Sequence, residues 1–185
     1  MFVGNMRGLR RFLLLCLFPL ACYSQQLPNA QAQLYYQEAY RYILKSPELN
    51  ELKPSCIAVF DSIVSLPQSN FSEQLKNHWG YVGTKKESQL LDSLFSLDES
   101  TYHKPYYSPI TANLTTASGA EKGCLVIMFS RLSNNLLLAE VSDNQEGGSG
   151  RKSVISIFDQ SILYLFIFGA DKKIQKHYTQ ILSHN

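Results

Sequence analysis

The sequence carries none of the compact signatures by which common chemistries announce themselves, and each absence excludes something. Its four histidines, His78, His103, His177 and His184, lie far apart and none stands in an H-E-x-x-H pair, so no helix presents two imidazoles to a metal. There is no G-x-S-x-G, the turn that exposes a nucleophilic serine above a sheet. Nor is there a C-x-x-C, since Cys56 and Cys124 each stand alone in apolar runs. The nearest approach to a phosphate loop, "GGSGRKS" at Gly147–Ser153, has Arg151 where the glycine before Lys152 belongs and Glu146 where the first glycine belongs. A strand rather than a helix is expected after it, so it reads as a solvated connection. No metal and no cofactor is expected.

Charge is also scarce, at 17% of residues, and it is unevenly placed. Seventeen Lys+Arg face fifteen Asp+Glu, for a net +2, but Arg7, Arg10 and Arg11 all lie in the first 24 residues, where no acid occurs. Without that stretch the net charge is −1. A chain with no basic excess has nothing with which to neutralise phosphates, which excludes nucleic acid as the expected partner. Apolar residues make up 45%, too many for a wholly disordered chain.

What is present begins with export. The three arginines precede an eleven-residue apolar run, Phe12–Cys22, that is interrupted by Pro19 and followed by small and polar residues. A bilayer-crossing helix needs about 20 residues, whereas this order of basic, apolar and small segments is that of a secretory signal peptide. Residues 1–24 are therefore expected to be removed after Ser24, leaving residues 25–185 as one α+β domain without a transmembrane helix. The alternative is a lipid anchor at Cys22, because Leu20-Ala21-Cys22 resembles the end of a bacterial lipoprotein signal, with Pro19 departing from the leucine usual there.

Periodicity orders the rest. Leu34, Tyr35, Ala39, Tyr40 and Ile43 form a helical stripe ended by Pro47. A strand is expected from Cys56 to Phe60, continuing through Val64. Asn70 with Glu73, and Thr84 with Glu87, are spaced as capping boxes for helices over Phe71–His78 and Lys85–Leu97, the second placing Leu90, Leu91, Leu94 and Leu97 on one side. From Asp98 to Lys122 no period is visible, and a long connection is expected. The remaining third reads as an antiparallel meander, "GCLVIMFSRL", "NLLLAEVSD", "KSVISIFDQ", "ILYLFIFG" and "KIQKHYTQIL", turning at Ser133–Asn135 and Gly169–Lys173. Ile162–Phe168 is continuously apolar, as a central strand buried on both faces would be. The fold class is thus α+β, with N-terminal helices on one face of a mainly antiparallel C-terminal sheet.

Among acids, Glu140 alternates into a strand between Ala139 and Val141, and with His103 and Asp143 it forms a weak catalytic candidate set. Cys124 with His103 could be drawn as a nucleophile and base, but an apolar strand raises a thiol's pKa. Cys56 and Cys124 are either a disulfide, favoured by an oxidising compartment, or two buried thiols.

A pocket between the Leu90–Leu97 helix and a curved sheet would resemble, in outline, cystatin-like and nuclear-transport-factor-like folds. The "SIV" strand, the apolar meander and the exported start are similar to small Gram-negative envelope proteins, a resemblance that implies periplasmic or secreted location rather than activity. The expected function is an exported, non-enzymatic binding or interaction domain whose partner is a protein or a small apolar ligand. The alternative is a small envelope hydrolase or isomerase with a pocket assembled from distant residues.

Overall fold

The computed structural model describes residues 29–114, 124–143 and 160–183. The export segment with Cys22, the Gly147–Ser153 loop and nearly all of the expected strand "KSVISIFDQ" lie outside them. Helix α1 (Asn29–Ile43) is followed by a short α2 (Pro47–Leu52) and strand β1 (Ile57–Val64). A 3-10 turn at Gln68–Phe71 leads into α3 (Ser72–His78) and the long α4 (Lys85–Thr101). The two-residue β2 (Tyr106–Tyr107) and one-turn α5 (Pro109–Ala112) precede β3 (Leu125–Ser130), β4 (Leu136–Asp143), β5 (Gln160–Phe168) and β6 (Ile174–Ser183).

The strands form one sheet in the order β2-β1-β3-β4-β5-β6. All neighbours run antiparallel except β1 and β3, which pair in parallel from Ile57 opposite Leu125 to Val64 opposite Ser130. A parallel pair needs a crossover, and here it carries the 3-10 turn, α3, α4, β2 and α5. The fold is α+β with a mainly antiparallel sheet, as the order of sequence patterns implies.

The layering differs from the one-faced arrangement expected. Tyr35, Tyr36, Ala39 and Ile43 of α1 pack with Ile127, Leu137, Ala139, Tyr164 and Phe166 on one face. Phe71, Leu75, Leu90 and Leu94 pack with the alternate residues Leu136, Leu138, Leu163 and Leu165 on the other. Helices therefore cover both faces, because every residue of β5 from Ser161 to Phe168 is buried and successive side chains of a strand point to opposite sides. Each buried Leu, Ile and Phe among them contributes about 1.5–3 kcal/mol on leaving water.

Local signals decide the element ends. Thr84 caps α4 by accepting the Lys86 N–H at 3.3 Å, and Glu87 reaches back to the Gly83 N–H at 2.7 Å rather than to Thr84 itself. The Asn70 cap does not form: the chain is already wound as a 3-10 turn there, and α3 begins at Ser72 without a side-chain cap. Of the four leucines of α4, Leu90 and Leu94 are buried and Leu91 is 44% exposed. Asn134 and Asn135 both adopt positive φ, 49° and 61°, turning β3 into β4. Where a long connection without period was expected from Asp98 to Lys122, the described residues 98–114 hold the end of α4, β2 and α5.

Candidate functional site

A cavity of about 740 Å³ opens on the α1 and α2 side of the sheet. Its floor is the end of the sheet, where same-face residues Leu125, Val141, Ile162 and Ile181 come from four successive strands. Its wall is α2 and the segment after it, Glu48, Glu51, Leu52, Lys53, Pro54 and Ser55.

That wall is set by the sequence "SPELNELKPSC" one residue at a time. Ser46 caps α2 by accepting the Leu49 N–H at 3.3 Å, and Pro47 at the first helical position has no N–H to leave unpaired. Leu49, 1% exposed, anchors the turn in the core. Lys53 ends it in the left-handed region at φ 45°, and Pro54 cannot continue a helix. Two residues on, the sulfurs of Cys56 and Cys124 lie at disulfide-bonding distance, their Cα atoms 4.8 Å apart. Leu125 N–H donates to the Cys56 carbonyl at 3.0 Å, so wall and floor are joined by both a covalent and a hydrogen bond.

Two residues along β5 from Ile162, on the same sheet face but outside the cavity lining, Tyr164 belongs to a polar group of side chains. The Ser46 and Tyr164 hydroxyls are hydrogen-bonded at 2.8 Å, both buried, and the Tyr42 hydroxyl lies 2.5 Å from Nε2 of His177. Burial pushes the Tyr164 phenol up to about 12, opposed by the Ser46 hydrogen bond and reinforced by the nearby Glu48 carboxylate. The Tyr42 phenol is raised as well, first by burial and then by Glu48. Both phenols are thus neutral hydrogen-bonding groups at physiological pH. The cavity itself offers an apolar floor, the serines Ser55, Ser142 and Ser161 in its lining, and a rim on which Glu48 and Glu51 outnumber Lys53.

The sequence candidates are placed elsewhere. Glu140 lies in β4 opposite Met128 and Leu163, and its Oε1 accepts from the Ser142 hydroxyl at 3.3 Å. His103 follows α4, with its backbone N–H on the Ser65 hydroxyl at 2.9 Å and its ring against the Lys104 carbonyl and Tyr106. Ser65 follows Val64 at the far end of β1, whereas Asp143 ends β4 opposite Leu125, beside the cavity. Eight residues of β1 at about 3.3 Å each separate those ends. His103 is therefore not brought to Asp143.

The expected pocket under α4 is filled by Leu90 and Leu94, and the cavity lies on the opposite face. Sequence reading missed Tyr42, Ser46, Glu48, Tyr164 and His177. Ser-Pro-Glu is legible as a helix start, and it was the one available signal. Among the described residues no group of three or more His, Cys, Asp or Glu could hold a metal ion, and no helix is long and apolar enough to cross a membrane. No protein family, curated protein or solved structure matches this chain.

Proposed function

We propose that the protein is an exported binding domain that takes a small, mainly apolar ligand in the cavity between α2 and the end of the sheet. The observation that carries this reading is the cavity itself, about 740 Å³ with a floor of Leu125, Val141, Ile162 and Ile181. Ligand sites are concave, of roughly 300–1,000 Å³, apolar in the main and furnished with a few polar groups that fix orientation. Export is supported by the basic and apolar start of the sequence and by the Cys56–Cys124 bridge, a bond that persists in oxidising compartments.

The test is titration with N-phenyl-1-naphthylamine, a neutral apolar fluorophore. Saturable binding of one equivalent per chain is expected, with affinity falling at least tenfold in Leu52→Asp, which places a charge on the cavity wall at an already exposed position. Non-saturating fluorescence, or unchanged affinity in Leu52→Asp and in the cavity-filling Val141→Phe, would overturn the reading.

A further inference from the structure

We propose that β6 is a self-recognition edge, through which two copies of this chain pair strand to strand about a twofold axis at Gln180. Among the described residues no strand lies beyond β6, which pairs with β5 on one side only. An edge of this length is ten residues of backbone, half of whose polar groups need partners outside the sheet.

Which groups those are follows from the ladder. The Phe168 N–H donates to the Asn135 carbonyl on the β4 side, so Phe168, Phe166, Tyr164 and Ile162 direct their peptide groups to β4. Ile167, Leu165 and Leu163 direct theirs to β6, onto Lys176, Tyr178 and Gln180. His177, Thr179 and Ile181, which alternate with these, present N–H and C=O to the open edge.

Native edges are usually blunted by charge, proline, a bulge or shortness. Here the irregularity lies at the start of the strand, between Ile167 and Phe168 in the β5 register, and the lysines stop at Lys176. Tyr178–Leu182, "YTQIL", is uncharged and free of proline and glycine, and Ile181 is 65% exposed.

The occupant is a second copy because the segment is complementary to itself. An antiparallel pair of β6 strands centred on Gln180 sets Thr179 opposite the partner's Ile181 in the hydrogen-bonded positions, twice over. It also sets Tyr178 opposite the partner's Leu182, and Gln180 opposite itself. Aromatic–aliphatic and β-branched cross-strand pairs are favourable, and a glutamine amide both donates and accepts across the axis. His177 falls opposite Ser183, and no lysine meets a lysine. The result is a closed, isologous dimer in which the six described strands of each copy form one continuous sheet, which removes the open β6 edge from both copies.

Sedimentation equilibrium of the full exported chain tests this independently of ligand binding. The apparent mass should double with rising concentration, and Gln180→Lys, which sets two ammonium groups face to face, should return it to that of a single chain. Gln180→Cys should cross-link in nearly full yield under mild oxidation, because the axis residue is in a non-hydrogen-bonded pair with Cα atoms about 4.5 Å apart. A chain that is monomeric throughout would overturn the proposal. So would a dimer that survives Gln180→Lys, or one in which Gln180→Cys stays uncross-linked.

Discussion

The hydroxyl of Ser46 and the hydroxyl of Tyr164 meet at 2.8 Å across 118 residues of sequence. One side chain thereby caps α2, through the Leu49 N–H, and fastens the same helix to the centre of the sheet. The wall of the cavity is thus positioned by a serine whose two roles depend on one oxygen.

Replacing Ser46 by Ala removes the cap, at about 1 kcal/mol, and leaves the Tyr164 hydroxyl buried without this partner, at about 1–3 kcal/mol more. Tyr164→Phe leaves Ser46 still serving Leu49 and should cost about 1 kcal/mol. Urea unfolding of both variants and of the pair checks this. The prediction fails if Tyr164→Phe is the more damaging change.

The contrast between what was and was not legible follows the range of the interactions. The apolar runs of β3, β4 and β5, the asparagine turn at Asn134–Asn135 and the Thr84 cap are local, and the sequence pattern identifies each. The continuous burial of Ile162–Phe168 was visible too, and a strand buried on both faces requires a layer on each side. The one-faced expectation failed because the helical patterns do not say which face each helix takes. The cavity was not legible, since Leu125, Val141, Ile162 and Ile181 become neighbours only through strand register. Tyr42 and His177, 135 residues apart, are joined in the same way.

The Cys56–Cys124 bridge spans 68 residues of sequence, for which the chain-entropy model gives about 4 kcal/mol. Changing both to Ser should lower the melting temperature by roughly 10 °C for a domain of this size. It should also weaken fluorophore binding, because Pro54 and Ser55 then hold the cavity wall to Leu125 without their covalent tie. Two thiols titrating in denatured, unreduced protein would show that the bridge does not form.

Alkaline pH should destabilise the fold through two buried phenols. Burial raises Tyr36 to about 12, against the opposing hydrogen bond from the Leu132 N–H, and Tyr164 likewise reaches about 12. Below pH ~10 the folded and unfolded phenols are equally protonated, so their contribution is fully present. Between about 10 and 12 the unfolded chain loses protons that the folded one keeps, and stability falls as pH rises. Of the eleven tyrosines, Tyr23 lies in the expected export segment; among the other ten, phenolate absorbance should show Tyr36 and Tyr164 titrating well above the ordinary value, with Tyr42 raised as well. In the Tyr36→Phe/Tyr164→Phe variant the fall in stability over that interval should be shallower. Simultaneous titration of every tyrosine near pH 10 would contradict the assignment.

Asp98, where the sequence shows no period, lies in the last turns of α4 and ties that helix to the turn before α3. Its two carboxylate oxygens accept the Gln68 N–H at 2.8 Å and the Ser69 N–H at 3.0 Å. These are the first amides of the 3-10 turn at Gln68–Phe71, which have no partner within the turn itself. The carboxylate therefore does for this turn what a side-chain cap does for a helix, from 30 residues away. A hydrogen bond to a charged group contributes about 1.5–3 kcal/mol. With partial exposure reducing the loss, Asp98→Ala should cost about 2 kcal/mol, and Asp98→Asn, which retains one acceptor oxygen, about half as much. The effect should also be local: hydrogen exchange at Gln68 and Ser69 should speed up by more than global destabilisation accounts for, because Phe71, fully buried one residue beyond this turn's polar end, keeps the rest of the layer in place. Unchanged exchange at both amides in Asp98→Ala would show that the carboxylate does not hold them.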